Sequence, residues 1–322
     1  PLAIDVYDNR KPKRSNVWVN AKAKNTFTFD ASKAPDLINI NADGILVAEI
    51  METKTPEQSL IQFSNSKEFV SRYKALSAIK DADAKNPAVV KLLATALKDP
   101  FYRLREQALN QIDLTNADQA KALTAEVEKL ASNDPKTLVQ AAAISALAKT
   151  KNAKYSSLLE KGMNAVSNAV KGSSLAGIAD LDPSKVATLA DKIDLENASE
   201  DLISKMLPII VKNKIEKQVP AIGTTVAFYP FIKFQDPVLG KSAEEGYNWI
   251  MSSDNLKATE KVTKVLNQAK SQMPDNPQVK MMSVQMLKDG LNKKMEVLKS
   301  NPNSPTINQQ IDAINKTIEA YK

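Results

Sequence analysis

From residue 1 to about 52 the apolar positions alternate with polar ones or gather in short runs. LAIDVYD (2–8), NVWVN (16–20), TFTFD (26–30), DLINI (36–40) and GILVAEI (44–50) are rich in β-branched or aromatic residues and are separated by polar turns. That is the pattern of five short strands. In TFTFD, Phe27 and Phe29 share one face and Thr26 and Thr28 the other, as on a half-buried strand. Five short strands make a thin sheet that needs a cover on at least one face. We expect a neighbour upstream to supply it, and expect the chain, which starts at Pro1 and enters a strand at once, to be cut from a longer protein or processed.

From about residue 53 the period becomes helical. Ala120, Leu123, Val127 and Leu130 recur at steps of three and four, and Ile307, Ile311, Ile314, Ile318 and Tyr321 keep the same rhythm. Asn86-Pro87, Asp99-Pro100, Asp134-Pro135, Asp182-Pro183, Asp236-Pro237 and Asn276-Pro277 read as helix starts, because Asn or Asp caps and Pro suits the first turn. The pattern predicts roughly fourteen helices of about 10–20 residues. Three segments repeat: VSRYKALSAI (70–79), RLREQALNQI (103–112) and LVQAAAISAL (138–147). Arg72, Arg105 and Gln140 align, as do Ala75, Ala108 and Ala143, and then Leu76, Leu109 and Ile144. The offsets are 33 and 35 residues, and a weaker copy ends near Leu175 and Ile178. A helix-pair repeat of this length predicts a HEAT- or armadillo-like α-solenoid over 53–322, preceded by the small β region over 1–52. Beyond about residue 180 the repeat fades while the helical period persists.

Composition supports a mostly α fold. The 322 residues are 43% hydrophobic and only 5% aromatic, with 8 glycines, and glycine costs about 1 kcal/mol relative to alanine inside a helix. The chain has neither cysteine nor histidine. Thiolate metal sites, disulfides and cysteine nucleophiles are therefore excluded, as are imidazole zinc sites and imidazole-based hydrolysis within this chain. The net charge of +7 comes mainly from lysine; Arg10, Arg14, Arg72, Arg103 and Arg105 are the only arginines. The lysines are spread along the helices beside Asp and Glu, a solvated surface rather than the concentrated basic face of a nucleic-acid binder. No apolar run approaches the about 20 residues needed to span a bilayer.

Motifs for chemistry are sparse. Gly-x-Gly-x-x-Gly, Walker and Gly-x-Ser-x-Gly patterns are absent; Lys171-Gly172-Ser173-Ser174 lacks the upstream glycine. Gly172 and Gly177 read as close-packing positions or helix ends. Asn39, Asn41, Asp43 and Gly44 open like a calcium loop, but its twelfth position is Ile50 instead of a bidentate Glu. A tight turn at Asp43-Gly44 is the better reading. Glu244 and Glu245 are adjacent, so on a helix their carboxylates diverge by about 100°. Arg103 and Arg105, near a helix start, could reach a carboxylate ligand, though arginine at this point of a repeat more often bonds to the neighbouring repeat. GTTVAFYPFIKFQDP (223–237) concentrates Phe228, Tyr229, Phe231 and Phe234 between prolines. It reads as an inter-helix loop that is either a contact surface for another domain or a small core of its own. No catalytic, cofactor-binding or metal-binding residue is identified.

The order NVWVNAKAKNTFTF, PDLININADGILVAEI, FSNSKEFVSRYKALSAI, DPFYRLREQAL resembles the C-terminal part of zinc aminopeptidases of the aminopeptidase N family. The likeness is to bacterial forms with a HEAT-like helical end, strongest from Val17 to Leu147. The resemblance implies a β-sandwich spacer followed by a helical domain that caps the active site and limits peptide access. Zinc and the peptide substrate would belong to an upstream catalytic domain of the same chain, since the Gly-x-Met-Glu-Asn and His-Glu-x-x-His motifs are absent here. The competing expectation is a free-standing helical-repeat scaffold for a protein partner.

Overall fold

The computed structural model describes residues 1–322 apart from 22, 23, 32, 49, 273–275 and 322. The chain divides into two compact units, Pro1–Tyr155 and Ser156–Lys322.

In the first unit, β1 (Leu2–Asp8) is the middle strand of a three-stranded antiparallel sheet. It is flanked by β2 (Lys11–Val17) and β3 (Leu37–Ile40). Asn9 and Arg10 both adopt positive φ, 50° and 61°, the combination that lets a two-residue turn follow the twist of the strands. Leu2, Ile4 and Val6 form one face with Val17, Phe27, Phe29 and Ile40 packed against them. Ala3, Asp5 and Tyr7 form the other, and all three are buried. Asp5 faces Arg14 across the ladder and receives both arms of its guanidinium, at 2.7 and 2.8 Å.

The sheet departs from the expected one. NVWVN contributes only Asn16 and Val17, TFTFD lies outside the sheet, and GILVAEI forms no strand over its described residues, Glu49 lying outside them. β2 instead runs through KPKRSNV, which has no apolar alternation because it is an edge strand held by backbone pairing. Phe27 and Phe29 keep their predicted alternation, half-buried beside exposed Thr26 and Thr28, and they close the sheet face themselves. The expected turn at Asp43-Gly44 is present: Gly44 has φ of +70° and donates to the Asn41 carbonyl at 3.0 Å. Asn39 donates to Ser71 Oγ at 3.2 Å, pinning β3 to the helices.

Six helices complete this unit: α1 (Pro56–Asn65), α2 (Phe69–Ser77), α3 (Pro87–Ala96), α4 (Tyr102–Gln111), α5 (Ala117–Asn133) and α6 (Thr137–Ala148). α1 packs on α3 and α3 on α5, while α2 packs on α4 and α4 on α6. The aligned repeat positions explain the join. Asp99 Oδ1 accepts from the Phe101 amide at 2.8 Å, and the same carboxylate pairs with Arg72 at 2.8 Å. Asp134 Oδ1 accepts from the Lys136 amide at 2.8 Å while both its oxygens take Arg105, at 2.8 and 2.9 Å. Asp99-Pro100 and Asp134-Pro135 are thus turns two residues ahead of their helices, and each ties one helix pair to the preceding one. Ala75, Ala108 and Ala143 are fully buried, where a small side chain lets the helices approach.

The second unit holds α7 (Ser156–Gly162), α8 (Asn168–Leu181), α9 (Val186–Ala190), α10 (Glu200–Lys212), α11 (Val219–Ala227), α12 (Tyr229–Gln235), α13 (Pro237–Met251), α14 (Leu256–Gln272), α15 (Pro277–Ser300) and α16 (Pro305–Ala320). That makes sixteen α-helices among the described residues. α8, α10, α13 and α15 pack in succession, as do α11, α14 and α16. Within this unit too, helices separated in sequence pack in rows, although the sequence repeat is lost. A Cβ on Gly172 would lie 2.5 Å from Leu202 Cδ1, so that glycine serves close packing of α8 on α10.

Candidate functional site

The aromatic stretch 223–237 is helical rather than a loop. Phe228 ends α11, Pro230 sits in the first turn of α12, and Asp236 caps α13 by accepting from the Val238 and Leu239 amides at 3.0 and 2.9 Å. Proline lacks the N–H of a helix interior but is tolerated in a first turn, so two prolines cut one apolar run into three helices. α12 folds tightly against α13 because position 240 is glycine; a Cβ there would lie 2.4 Å from the Lys233 Cα.

This fold-back opens a cleft of about 890 Å³ among α10, α11, α12 and α14. Phe228, Ile232 and Leu239 supply apolar surface. Glu196, Glu200 and Asp236 bring negative charge, and Lys257 and Lys261 bring positive charge from α14. The Lys261 stem crosses α11 at Gly223, where a Cβ would meet its Cγ at 2.7 Å, and aliphatic stems commonly cover such surface while the ammonium stays wet. A smaller cleft of about 240 Å³ shares Thr224, Phe228 and Lys261 and continues past Lys264. Pro208 inside α10 withholds the N–H that the carbonyl of Ser204, a lining residue, would otherwise accept. The cleft thus offers an apolar floor, carboxylates and ammonium groups. With no imidazole or thiol in the chain, the groups it presents for chemistry are hydroxyls, carboxylates and amines, among them Ser204, Glu200 and Lys261.

Of the residues singled out in sequence, Phe228 reaches this cleft. Phe231 packs edge-on against Phe228 at 6.3 Å, Tyr229 lies on Tyr247 at 5.4 Å, and Phe234 is 78% exposed. Burial raises the Tyr229 pKa, and the charges of Glu244 and Asp289 add to it. The aromatic stretch is therefore both core and rim. Arg103 and Arg105 lie in the first unit and part company. Arg105 is spent on Asp134 and on the Asp99 carbonyl at 2.8 Å, whereas Arg103 is exposed and donates to Glu106 at 3.0 Å. Lys257, Lys261 and Lys264 were not singled out, although their steps of four and three place them on one helical face.

One strongly perturbed group lies elsewhere in the second unit. Lys294 is fully buried and donates to the Ile250 and Ser253 carbonyls, at 2.8 and 2.5 Å, at the end of α13. Burial pushes its pKa down to about 8 against the pull of Asp254. Burial also opposes ionisation of Asp254, but hydrogen bonds from Thr306, Ser304 and Gln310 hold its carboxyl below the usual range. These groups close the end of α13 against α15 and α16 and have a structural role.

No protein-family model matches the chain, and a search of curated proteins finds no match either.

Proposed function

We propose that this chain is the noncatalytic C-terminal region of a zinc aminopeptidase, in which a β element and a HEAT-like helical solenoid cap an active site carried by an upstream domain and limit peptide access. The observation that carries the reading is the apolar surface left on the β region. Trp18, Ile45, Val47 and Met51 are 73%, 72%, 99% and 92% exposed, and Val19, Ile38 and Leu46 are exposed beside them in sequence. Apolar exposure on this scale within fifty residues supports an interaction surface. It supports docking of a further domain on the β region, although Phe27 and Phe29 themselves pack on the sheet. The pairwise helix packing and the Arg–Asp ties between pairs support the solenoid.

Zinc does not fit the residues of this chain. Without His or Cys the usual donors are missing, and no cluster of three or more acidic groups suited to a metal occurs among the described residues. Zinc chemistry in the whole enzyme would belong to the upstream domain. The described residues also include no helix long and apolar enough to cross a membrane.

The alternative, a free-standing helical-repeat scaffold, rests on the same helix packing. One experiment separates the two. An antibody raised against this chain captures the native polypeptide, which is sized and assayed for aminopeptidase activity with and without a chelator. A polypeptide several hundred residues longer, with chelator-sensitive activity, is the expected result. A polypeptide of about this length with no activity would overturn the proposal and leave the scaffold.

A further inference from the structure

The cleft of the second unit has a helix for its floor. Pro220, Thr224 and Phe228 of α11 line it at steps of four, with Ala221 and Thr225 beside them, so all five share one face of that helix. The opposite face, through Val219, Ile222 and Val226, is buried. Small side chains between the proline and the phenylalanine keep the lined face low, with room above it for side chains from outside. α10 and α14 both pack on α11 and serve as walls, Ile203 on one and the Lys261 stem over Gly223 on the other. Ile232 and Leu239 add apolar surface, and Phe234 and Val238 beside them in sequence are 78% and 77% exposed.

The walls differ in sign. Glu196 and Glu200 stand at the start of α10, whereas Lys257 and Lys261 line the α14 side and Lys264 continues it along the smaller cleft. Among the described residues none of these five side chains forms an ion pair. The neighbouring charges are engaged or face elsewhere. Asp236 caps α13, Lys233 is paired with Glu244 at 2.9 Å, and Glu260, the acid of α14, lines a different groove with Asn267 and Lys316. Each wall therefore keeps its own sign for an occupant.

We propose that this cleft binds an amphipathic helix of a partner protein, its apolar stripe along α11, an acidic flank against Lys257, Lys261 and Lys264 and a basic flank against Glu196 and Glu200. Length favours a helix over a small molecule. The two clefts share Thr224, Phe228 and Lys261, and their lining runs from Lys257 to Gln272, about 22 Å along α14 at 1.5 Å per residue. Packed helices lie about 8–10 Å apart, so a helix seated on α11 comes within reach of long side chains on both walls. An occupant of one sign would be drawn to one wall and repelled by the other. The inference stands apart from the aminopeptidase reading, which rests on the β region.

The test uses the full chain and three fluorescein-labelled helical peptides of about 20 residues that share one leucine stripe. The first carries glutamate along one flank of the stripe and lysine along the other; the controls carry glutamate on both or lysine on both. Fluorescence anisotropy is expected to show the mixed peptide binding at least about tenfold more tightly than either control, and more weakly as salt is added. Glu196→Lys/Glu200→Lys should move the preference to the all-glutamate peptide, and Lys257→Glu/Lys261→Glu to the all-lysine peptide. Thr224→Trp fills the floor and should abolish binding. Circular dichroism of each variant checks that it folds. Binding of none of the peptides, equal binding of all three, or a preference unmoved by charge reversal would overturn the proposal. So would sedimentation equilibrium showing a dimer that Thr224→Trp dissolves, because a second copy of the chain would then cover the cleft.

Discussion

Arg103 and Arg105 stand two residues apart on one helix, and replacing each by alanine should have very different consequences. Arg105→Ala removes two hydrogen bonds to Asp134 and one to each of the Asp99 and Pro100 carbonyls, between 2.8 and 3.2 Å. The stranded Asp134 side chain is 2% exposed and keeps the Lys136 amide as a donor to it. Breaking a buried pair from one side costs about 3–5 kcal/mol, because the remaining charge is left without solvent or partner. Arg103→Ala removes an exposed pair with Glu106 and should stay within about 0.5 kcal/mol. Amide hydrogen exchange read by mass spectrometry suits a chain of two units, since it reports each segment separately. Protection in α4 and α6 should fall by about two to three and a half orders of magnitude in Arg105→Ala, each tenfold being about 1.4 kcal/mol. Adding Asp134→Asn should recover at least about half of the loss, since the amide can still accept from Lys136 while carrying no charge. A loss below tenfold, or a double variant no better than the single one, would refute the argument that a stranded charge dominates.

Three further outcomes follow from local geometry. The Lys294 pKa of about 8 lies below its ordinary 10.5, so between those pH values the unfolded chain holds a proton that the folded chain lacks. Stability should therefore rise with pH across that window by up to about 3 kcal/mol, and chemical denaturation should show the rise in the native chain but not in Lys294→Met. Gly240→Ala places its Cβ 2.4 Å from the backbone of Lys233; α12 must lift, costing about 1–3 kcal/mol, and exchange should quicken over residues 229–251. A gain in stability there, as helix propensity alone demands, would contradict the packing. Asn116 accepts from the Asp118 and Gln119 amides at 3.0 and 3.2 Å, so Asn116→Ala should cost about 1 kcal/mol, seen as faster exchange in the first turn of α5.

The helices were the legible part because their apolar period is local and survives changes of neighbour. The repeat at 70–79, 103–112 and 138–147 foretold which residues would share a job. Arg72, Arg105 and Gln140 all bond at an Asp-Pro turn, Gln140 Nε2 reaching the Asp134 carbonyl at 2.7 Å. The β region was less legible. Edge strand β2 owes its place to backbone bonds with β1 rather than to apolar alternation, and TFTFD alternates as a strand does while lying on the sheet instead of in it. In the second unit Phe228 was found through aromatic density, but Lys257, Lys261 and Glu200 gain meaning only from the walls they face.

The sequence by itself determined the mostly helical class, the switch of period near residue 53 and the absence of imidazole and thiol chemistry. These depend on residue type and on spacing along the chain. Only the tertiary structure decided that Phe27 and Phe29 close their own sheet face, that two prolines and Gly240 fold the aromatic stretch back into a cleft, and that an aromatic row crosses α2 and α4. Those outcomes depend on which surfaces meet across long separations, and burial against a distant neighbour leaves no period in the chain that forms it.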